Sequence, residues 1–518
     1  MPLPQNDMNW PPTDPVVQTA LADWDSWYSS DPDRLGDRYL NRGVRELPEN
    51  RPTQYRGGMV GRVARWFWGT PTAPGEKRAK LHIPLAGDIA RTSSSLLFSE
   101  PPTLTSDSAA TQERLDELAE SVLHPTLLEA AEICSALGGV YLRVVWDQDI
   151  SDRPWIDRVA ADSAVPEFRY GRLTAVTFWT VVEQDGREVW RHLERHEKGR
   201  ILHGLYRGSV GTLGTRLPLT DHPRTEPLAH QVTEDWIDTG APNHLTAAYV
   251  PNVRPARPWR NIPSATHWGQ SDFQGIESLF DALDEAWSSW MRDIRIGKGR
   301  IILPNSMLQN HGPGQGASWY EDQEIYSGLE MLERPGENQI TVQQFAIRVQ
   351  EHKDTCTALV EQAARQAGYS AATFGVTGDG SAVTATEIRA RERRSMSTRG
   401  RKALYWRPAL ADIVAALLAV EAGPLFGVSG LDLEVPRVEF QDSVSEAPKE
   451  VAETVALLAS AKAASLETLV RMQHSDWRDE QVRAEISLIH EDTSRNIPPP
   501  VPSQDGPAPQ DETEPDAA

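Results

Sequence analysis

The sequence predicts an α+β fold of more than one domain, on three observations. A stretch from about residue 173 to 208 alternates like strands and is broken by the turn pairs Asp185-Gly186 and Lys198-Gly199. Segments on both sides of it carry apolar residues at helical spacing instead. The chain has 518 residues, 39% of them hydrophobic, which exceeds one core and suffices to fill two or more.

Residues 16–28 and 109–137 read as helices, the second through Leu115, Leu118, Val122, Leu127, Leu128, Ala131 and Cys134. Gly138-Gly139 stops it, and Val140, Leu142 and Val144 then alternate as a strand. Strands follow at 173–183, 187–197 and 200–207, and a segment rich in Pro, Thr and Asn, 217–264, reads as loops and short strands. Residues 1–270 thus form an N-terminal region built around a β-meander.

Ser271 with Gln274 makes a capping box, and Ile276, Leu279, Phe280, Leu283, Trp287, Trp290 and Ile294 mark one face of a helix over 271–296. Residues 297–340 break that pattern with strand-like runs at 300–303 and 324–332. A second capping box, Thr341 with Gln344, opens a helix to 367 that Gly368 closes. These features predict a helical hairpin with a small β module at its tip. A loop of small residues, 368–383, precedes a long helix from Thr384 to about Val420, kinked at Pro408, and the return extends to 445. Helices at 446–462 and 465–491 make a last helical region, 446–493, before a Pro-rich acidic tail, 494–518, of disordered character.

With 52 basic and 74 acidic residues the chain carries a net charge of −22, which argues against a surface that grips nucleic acid throughout. Cys134 and Cys356 lie in apolar helical stripes and read as reduced core thiols. The N-terminus has no secretory pattern, and the longest apolar run, 409–420, is too short to span a bilayer, so a soluble protein made in the cytoplasm is expected.

The search for catalytic chemistry gives little. HGPGQGAS at 311–318 and IGKGR at 296–300 do not fit a phosphate-binding loop, and GVSG at 427–430 does not fit a nucleophile elbow. His192 and His196 have the spacing of zinc ligands on a helix but lie in a strand, where surface histidines are the plainer reading. Asp31 with Asp33, and Asp147 with Asp149 and Asp152, sit in turn-like contexts that favour capping over Mg²⁺ binding. No catalytic residue, metal or cofactor is expected, and the chain is not expected to be an enzyme.

Arg389, Arg391, Arg393, Arg394, Arg399, Arg401, Lys402 and Arg407 crowd the long helix with only Glu387 and Glu392 among them. DNA contact and ion pairing compete here. About ten phosphate contacts would give a salt slope near −9, which is very tight binding at low salt. Ion pairs within or between subunits are therefore preferred, with Arg391, Arg393, Arg394 and Arg401 the subunit candidates.

DIARTSSSLLFSEPPTL at 88–104, ALGGVYLRVVWD at 136–147 and, most specifically, GYSAATFGVTGDGSAVTATEIRARERR at 368–394 resemble the portal proteins of long-tailed bacteriophages. SLETLVRMQHSDWRDEQVRAEISLIHED at 465–492 is similar to their last helices, so the likeness spans about 20–492. It implies a portal fold: a mixed α/β wing within 1–270, stem helices at 271–296 and 341–367, a clip at 297–340, a tunnel loop at 368–383, a long helix with wing return at 384–445 and a crown at 446–493. It further implies a ring, usually of twelve copies, at one capsid vertex of the virion, through which double-stranded DNA is packaged, retained and ejected. Implied partners are terminase, a head-tail adaptor, the major capsid protein and scaffold protein, with no membrane.

By position, Phe374, Thr377, Asp379 and Ser381 become channel-loop candidates, and Lys298, Arg300, Trp319 and Tyr320 become clip contacts. Packing inside the clip is the slightly favoured role for the two aromatics. Another head structural protein, and further off a packaging enzyme such as a terminase subunit or nuclease, remain the alternatives.

Overall fold

The computed structural model describes residues 3–36, 81–147, 149–232, 235–296, 300–302, 309–310, 317–318, 341–343, 347–376, 385–440, 448–474, 477 and 479–495. Two compact units divide the chain at Phe440, and the fold is α+β.

Helix α1, Pro15–Ser29, starts where Asp14 Oδ1 accepts from Val16 N at 2.8 Å, with Pro15 already set for the first turn. Helix α2, Leu85–Phe98, was not legible as a helix. Strand β1, Thr103–Thr105, leads to α3, Ala109–Glu120, and α4, Leu123–Leu137. One continuous helix over 109–137 was expected, and Pro125 is the reason for two. A proline has no N–H to give, and its ring would strike the carbonyl four residues back, that of Ser121. Gly138, at φ 80°, ends α4 as expected.

Strand β2, Gly139–Val145, is the middle of an antiparallel sheet between β3, Trp155–Ala160, and β10, Ala247–Pro251. The meander is larger than its sequence pattern indicates: β4, Ala164–Arg169; β5, Arg172–Asp185; β6, Glu188–Glu197; β7, Arg200–Ser209; and β8, Thr212–Leu217, pair in that order, and β9, Trp236–Asp238, pairs with β7. The two expected turns are present, with Gly186 at φ 56° and Gly199 at φ 77°.

Helix α5 runs Glu277–Ile296. It begins six residues after Ser271, because Gly275 adopts φ 82° and its N–H donates to Glu277 Oε2 at 2.8 Å. Strand β11, Arg300–Ile302, pairs antiparallel with Thr341–Gln343, so the expected helix start at Thr341 is corrected to a strand: Val342 lies opposite Ile301, and that pairing outweighs the capping pattern. Two-residue strands at Gln309–Asn310 and Ala317–Ser318 pair with each other. The returning helix, α6, is Val349–Ala367, closed by Gly368 at φ 97°.

Helix α7, Ala385–Ala422, continues through Pro408. Within its portion Glu392–Ala422 an 18-residue stretch is apolar enough, by length and composition, to cross a membrane, and 72% of that stretch is buried inside the protein. Leu410, Ile413, Val414, Leu417 and Leu418 share one core with Leu127, Val140, Leu142 and Val250, and the helix lies against the three-stranded sheet and α2. A second core gathers Trp24, Trp27, Ile89, Trp259, Phe273, Phe280, Cys356 and Tyr369, joining α1 and α2 to the base of the hairpin.

The second unit holds α8, Pro448–Ser460; α9, Leu466–Gln473; and α10, Asp479–Arg495. The single helix expected over 465–491 is interrupted at His474, whose backbone leaves the helical region at φ −132° and whose ring stacks on Trp477. Arg471 bridges the break by pairing with Glu467 and Asp479. Residues 496–518, the rest of the expected tail, lie outside the described residues.

Candidate functional site

The base of the hairpin, the start of the 368–383 loop and the middle of α7 meet on one buried polar cluster. Asp272 is 6% exposed and Lys402 2%. Lys402 Nζ donates to Asp272 Oδ2 at 2.5 Å, to Ser93 Oγ at 2.7 Å and to Tyr369 OH at 2.9 Å, which uses all three of its protons. Asp272 also accepts from Tyr369 OH at 2.9 Å, Ser135 Oγ at 2.6 Å and Asn252 Nδ2 at 2.8 Å. A buried ion pair is tolerated only when its remaining lone pairs and protons are satisfied, as these are. Burial, and then the Asp272 charge, push the Tyr369 hydroxyl far above its ordinary value, so it remains a neutral donor.

The loop's first residues are fastened to α7 beside this cluster. Thr398 Oγ1 donates to the Gly368 carbonyl at 2.5 Å, and Ser395 Oγ meets Ser370 N and Thr373 Oγ1, both at 2.9 Å. Residues Ala371–Phe374 form one 3₁₀ turn. Phe374 is half-buried and meets Tyr369 edge-on with centroids 6.3 Å apart, so its ring rests on the chain's own core. Thr377, Asp379 and Ser381 lie outside the described residues, as do Lys298, Trp319 and Tyr320. Arg300 is placed only as the first residue of β11.

Of the arginine candidates, Arg391 is placed on α7 without a described side chain, and Arg393 is exposed. Arg394 Nη2 donates to the Arg365 carbonyl at 2.7 Å and Arg401 Nη2 to the Arg254 carbonyl at 2.6 Å. Lys402, of the same cluster, has a buried carboxylate partner in Asp272. A second pin holds the far end of α7: Arg114 Nε and Nη2 grip the fully buried Glu421 carboxylate at 2.5 to 3.0 Å. Neither Asp272, which reads as a helix-cap neighbour, nor Glu421, lost in an apolar run, was singled out from the sequence.

The histidine reading is corrected. His196 is fully buried, bonded through Nδ1 to Thr246 Oγ1 and through Nε2 to Glu194 Oε1, both at 2.7 Å. His192 stacks on His203, with Nε2 and Nδ1 3.2 Å apart. The reason is position: β6 is an inner strand of the six-stranded sheet, and side chains on both of its faces are covered. Asp31 and Asp147 do serve turns, each accepting at 2.9 Å from the N–H two residues on. Cys134 and Cys356 are both buried and unpaired.

Chemically this arrangement holds; its donors and acceptors are spent on one another, which fits a structural protein whose polar core fixes where distant segments meet. The chain belongs to the family described as phage portal protein, SPP1 Gp6-like, whose profile matches residues 62–499. It is accordingly a structural protein of the phage virion, with a portal, head-to-tail connecting role in an oligomeric assembly. No curated protein matches the chain. A chain in the solved structure of the neck of a native GTA particle, computed with C12 symmetry, is similar with 16% identity over 78% of this chain and 89% of that one, at a TM-score of 0.38.

Proposed function

We propose that the chain forms the ring-shaped DNA channel at one capsid vertex, used for genome packaging, retention and ejection, and that terminase and then a head-tail adaptor dock on it. The observation that carries this reading is the family match over 62–499, which spans both the hairpin and the loop. In this reading α5 and α6 are the stem, residues 297–340 the clip that receives the motor and adaptor through Lys298, Arg300, Trp319 and Tyr320, residues 368–383 the tunnel loop, and α8 to α10 the crown. Thr377, Asp379 and Ser381 face the DNA, weakly polar enough to touch it without holding it.

The buried Lys402–Asp272–Tyr369 cluster supports the loop assignment, since it fixes the start of the loop, at Tyr369, to the stem base and to α7 together. Electron microscopy with class averaging on the full-length protein tests the reading. Rings with a central hole, about twelve subunits around, are expected; protein that stays monomeric even when produced with its capsid and scaffold proteins would overturn it. Shortening the loop within 376–383 is expected to leave rings intact while genome packaging or retention fails.

A further inference from the structure

An outer strand of a sheet carries N–H and C=O groups with no partner on its free side, and another strand can pair there. The six-stranded sheet has two such flanks, β4 on one and β8 with β9 on the other. Strand β4 is blunted by its own sequence: Pro166 has no N–H to offer, and the register slips between Glu167 and Phe168. Strand β9 has three residues, short for a pairing edge. Strand β8, Thr212–Leu217, contains no proline, and its free side is covered instead by residues 3–10 of the same chain.

Leu213 N donates to the Met8 carbonyl at 2.8 Å, Trp10 N to the Gly211 carbonyl at 3.0 Å and Asp7 N to the Gly214 carbonyl at 2.9 Å, and Asn9 lies opposite Thr212 in an antiparallel bridge. Arg216 N donates to Asn6 Oδ1 at 3.0 Å. These are groups through which a further strand would pair with β8. Two side chains anchor the segment at its ends. Leu3 rests on the bare backbone of Gly204, where an added Cβ would come within 2.9 Å of Leu3 Cδ1, and Trp10 is buried with Leu193, Tyr206 and Leu213. Tyr206 OH donates to the Pro4 carbonyl at 2.8 Å. The hold is not fully satisfied, because Trp10 Nε1 is buried with no hydrogen-bond partner among the described residues, a cost of seating that lifting removes.

Copies of this chain gather in one oligomeric assembly, so a bare β8 edge would meet other copies of itself at high local concentration. We propose that residues 3–10 are an edge guard: seated on β8 they keep a second copy of this chain from pairing there strand to strand, and lifted they open β8 to that partner. The two flanks of the sheet are then closed by different means, β4 permanently by its proline and β8 by a segment that can come away.

The test uses the full-length protein. Leu3→Asp with Trp10→Asp puts a charge where each anchor sits, so the segment lifts while β4 to β8 keep their own pairings. The variant is expected to remain folded by circular dichroism and to sediment as species heavier than any the wild type forms. An excess of the synthetic peptide of residues 1–12 should return it to the wild-type profile by covering β8 in trans, and the same peptide carrying Trp10→Asp should not. A folded variant that sediments as the wild type does overturns the proposal and leaves the open edge to an extended segment of another protein. Association that the peptide fails to reverse, or that both peptides reverse equally, places the contact elsewhere and overturns it too. Should the anchors prove necessary for folding, Asn9→Cys with Thr212→Cys asks the same question with both anchors in place. These two residues face each other without bonding to one another, the closer kind of antiparallel pair, so oxidation staples the segment down. The oxidised form is expected to resist association on mild heating while the reduced form associates; equal behaviour of the two forms overturns the proposal.

Discussion

Two of the ionic clusters buried in the larger unit differ in how their members are related along the chain. In the six-stranded sheet, Glu194 receives Arg143 Nη1 and His196 Nε2, both at 2.7 Å, with His192 and His203 stacked alongside on paired strands. At the hairpin base, Lys402 bonds partners 33, 130 and 309 residues away. The first cluster is mostly local and rich in histidine, so its charge can change in mild acid. The second joins segments far apart along the chain, and its cation is a lysine. One therefore tunes the stability of a sheet, and the other fixes where a loop begins.

The largest effect is expected from breaking the long-range cluster. Lys402→Met leaves the Asp272 carboxylate buried with no cation, which costs about 3–5 kcal/mol of stability by the usual experience with half-removed buried pairs. Chemical denaturation of the full chain measures it. A loss no greater than that of an exposed control such as Arg153→Met, about 0–1 kcal/mol, would mean that water reaches the site and that the loop base is not locked there.

Acidification should act on the other cluster. Burial, helped by His192, His196 and Arg143 and opposed by Glu194, pushes the His203 ring down from 6.5 to about 4. Between those values the unfolded chain holds a proton that the folded sheet refuses, so stability falls as pH drops from 6.5 towards 4. His192 is lowered too, chiefly by burial, and acts with the same sign. Burial works to raise Glu194, but Arg143 and His196 outweigh it and hold the group well below its ordinary value, adding a further loss below about pH 4.5. The His203 contribution is on the order of 3 kcal/mol, because each tenfold loss of proton affinity on folding corresponds to about 1.36 kcal/mol. Thermal melting between pH 7 and pH 4 should show that slope, and His203→Gln should flatten it; an unchanged slope would place the acid sensitivity elsewhere.

The same contrast explains what was legible in the sequence. Gly138, Gly186, Gly199 and Gly368 announce a helix end, two hairpin turns and another helix end, because each needs a backbone conformation that few other residues accept. Helical periodicity placed most of α5, α6 and α7, whose faces are local facts. The errors arise where tertiary partners decide. His192 and His196 alternate as a half-exposed strand would, and only the strand order makes β6 an inner strand. Thr341 looks like a cap until Arg300–Ile302 offers it a pairing partner. Asp272 sits one residue after a capping serine, and nothing around it points to a lysine 130 residues on. The α2 helix, which supplies Ser93 to the cluster, stood out only as a family motif.

The smallest effect tests the local side of the comparison. Gly186 lies at φ 56° with open space where a Cβ would be, so Gly186→Ala meets no clash and costs only the left-handed backbone, about 1–2 kcal/mol. Gly186→Asn should cost less, since asparagine tolerates that region. Gly199 has nearly the same conformation, but a Cβ there would lie 3.0 Å from Pro242 Cα, so Gly199→Ala should cost more than Gly186→Ala. Melting temperatures of the three variants in parallel give the ranking. If Gly199→Ala proved the milder change, the second turn would have room that its contact with Pro242 denies, and turn chemistry alone, as read from Lys198-Gly199, would be enough to specify it.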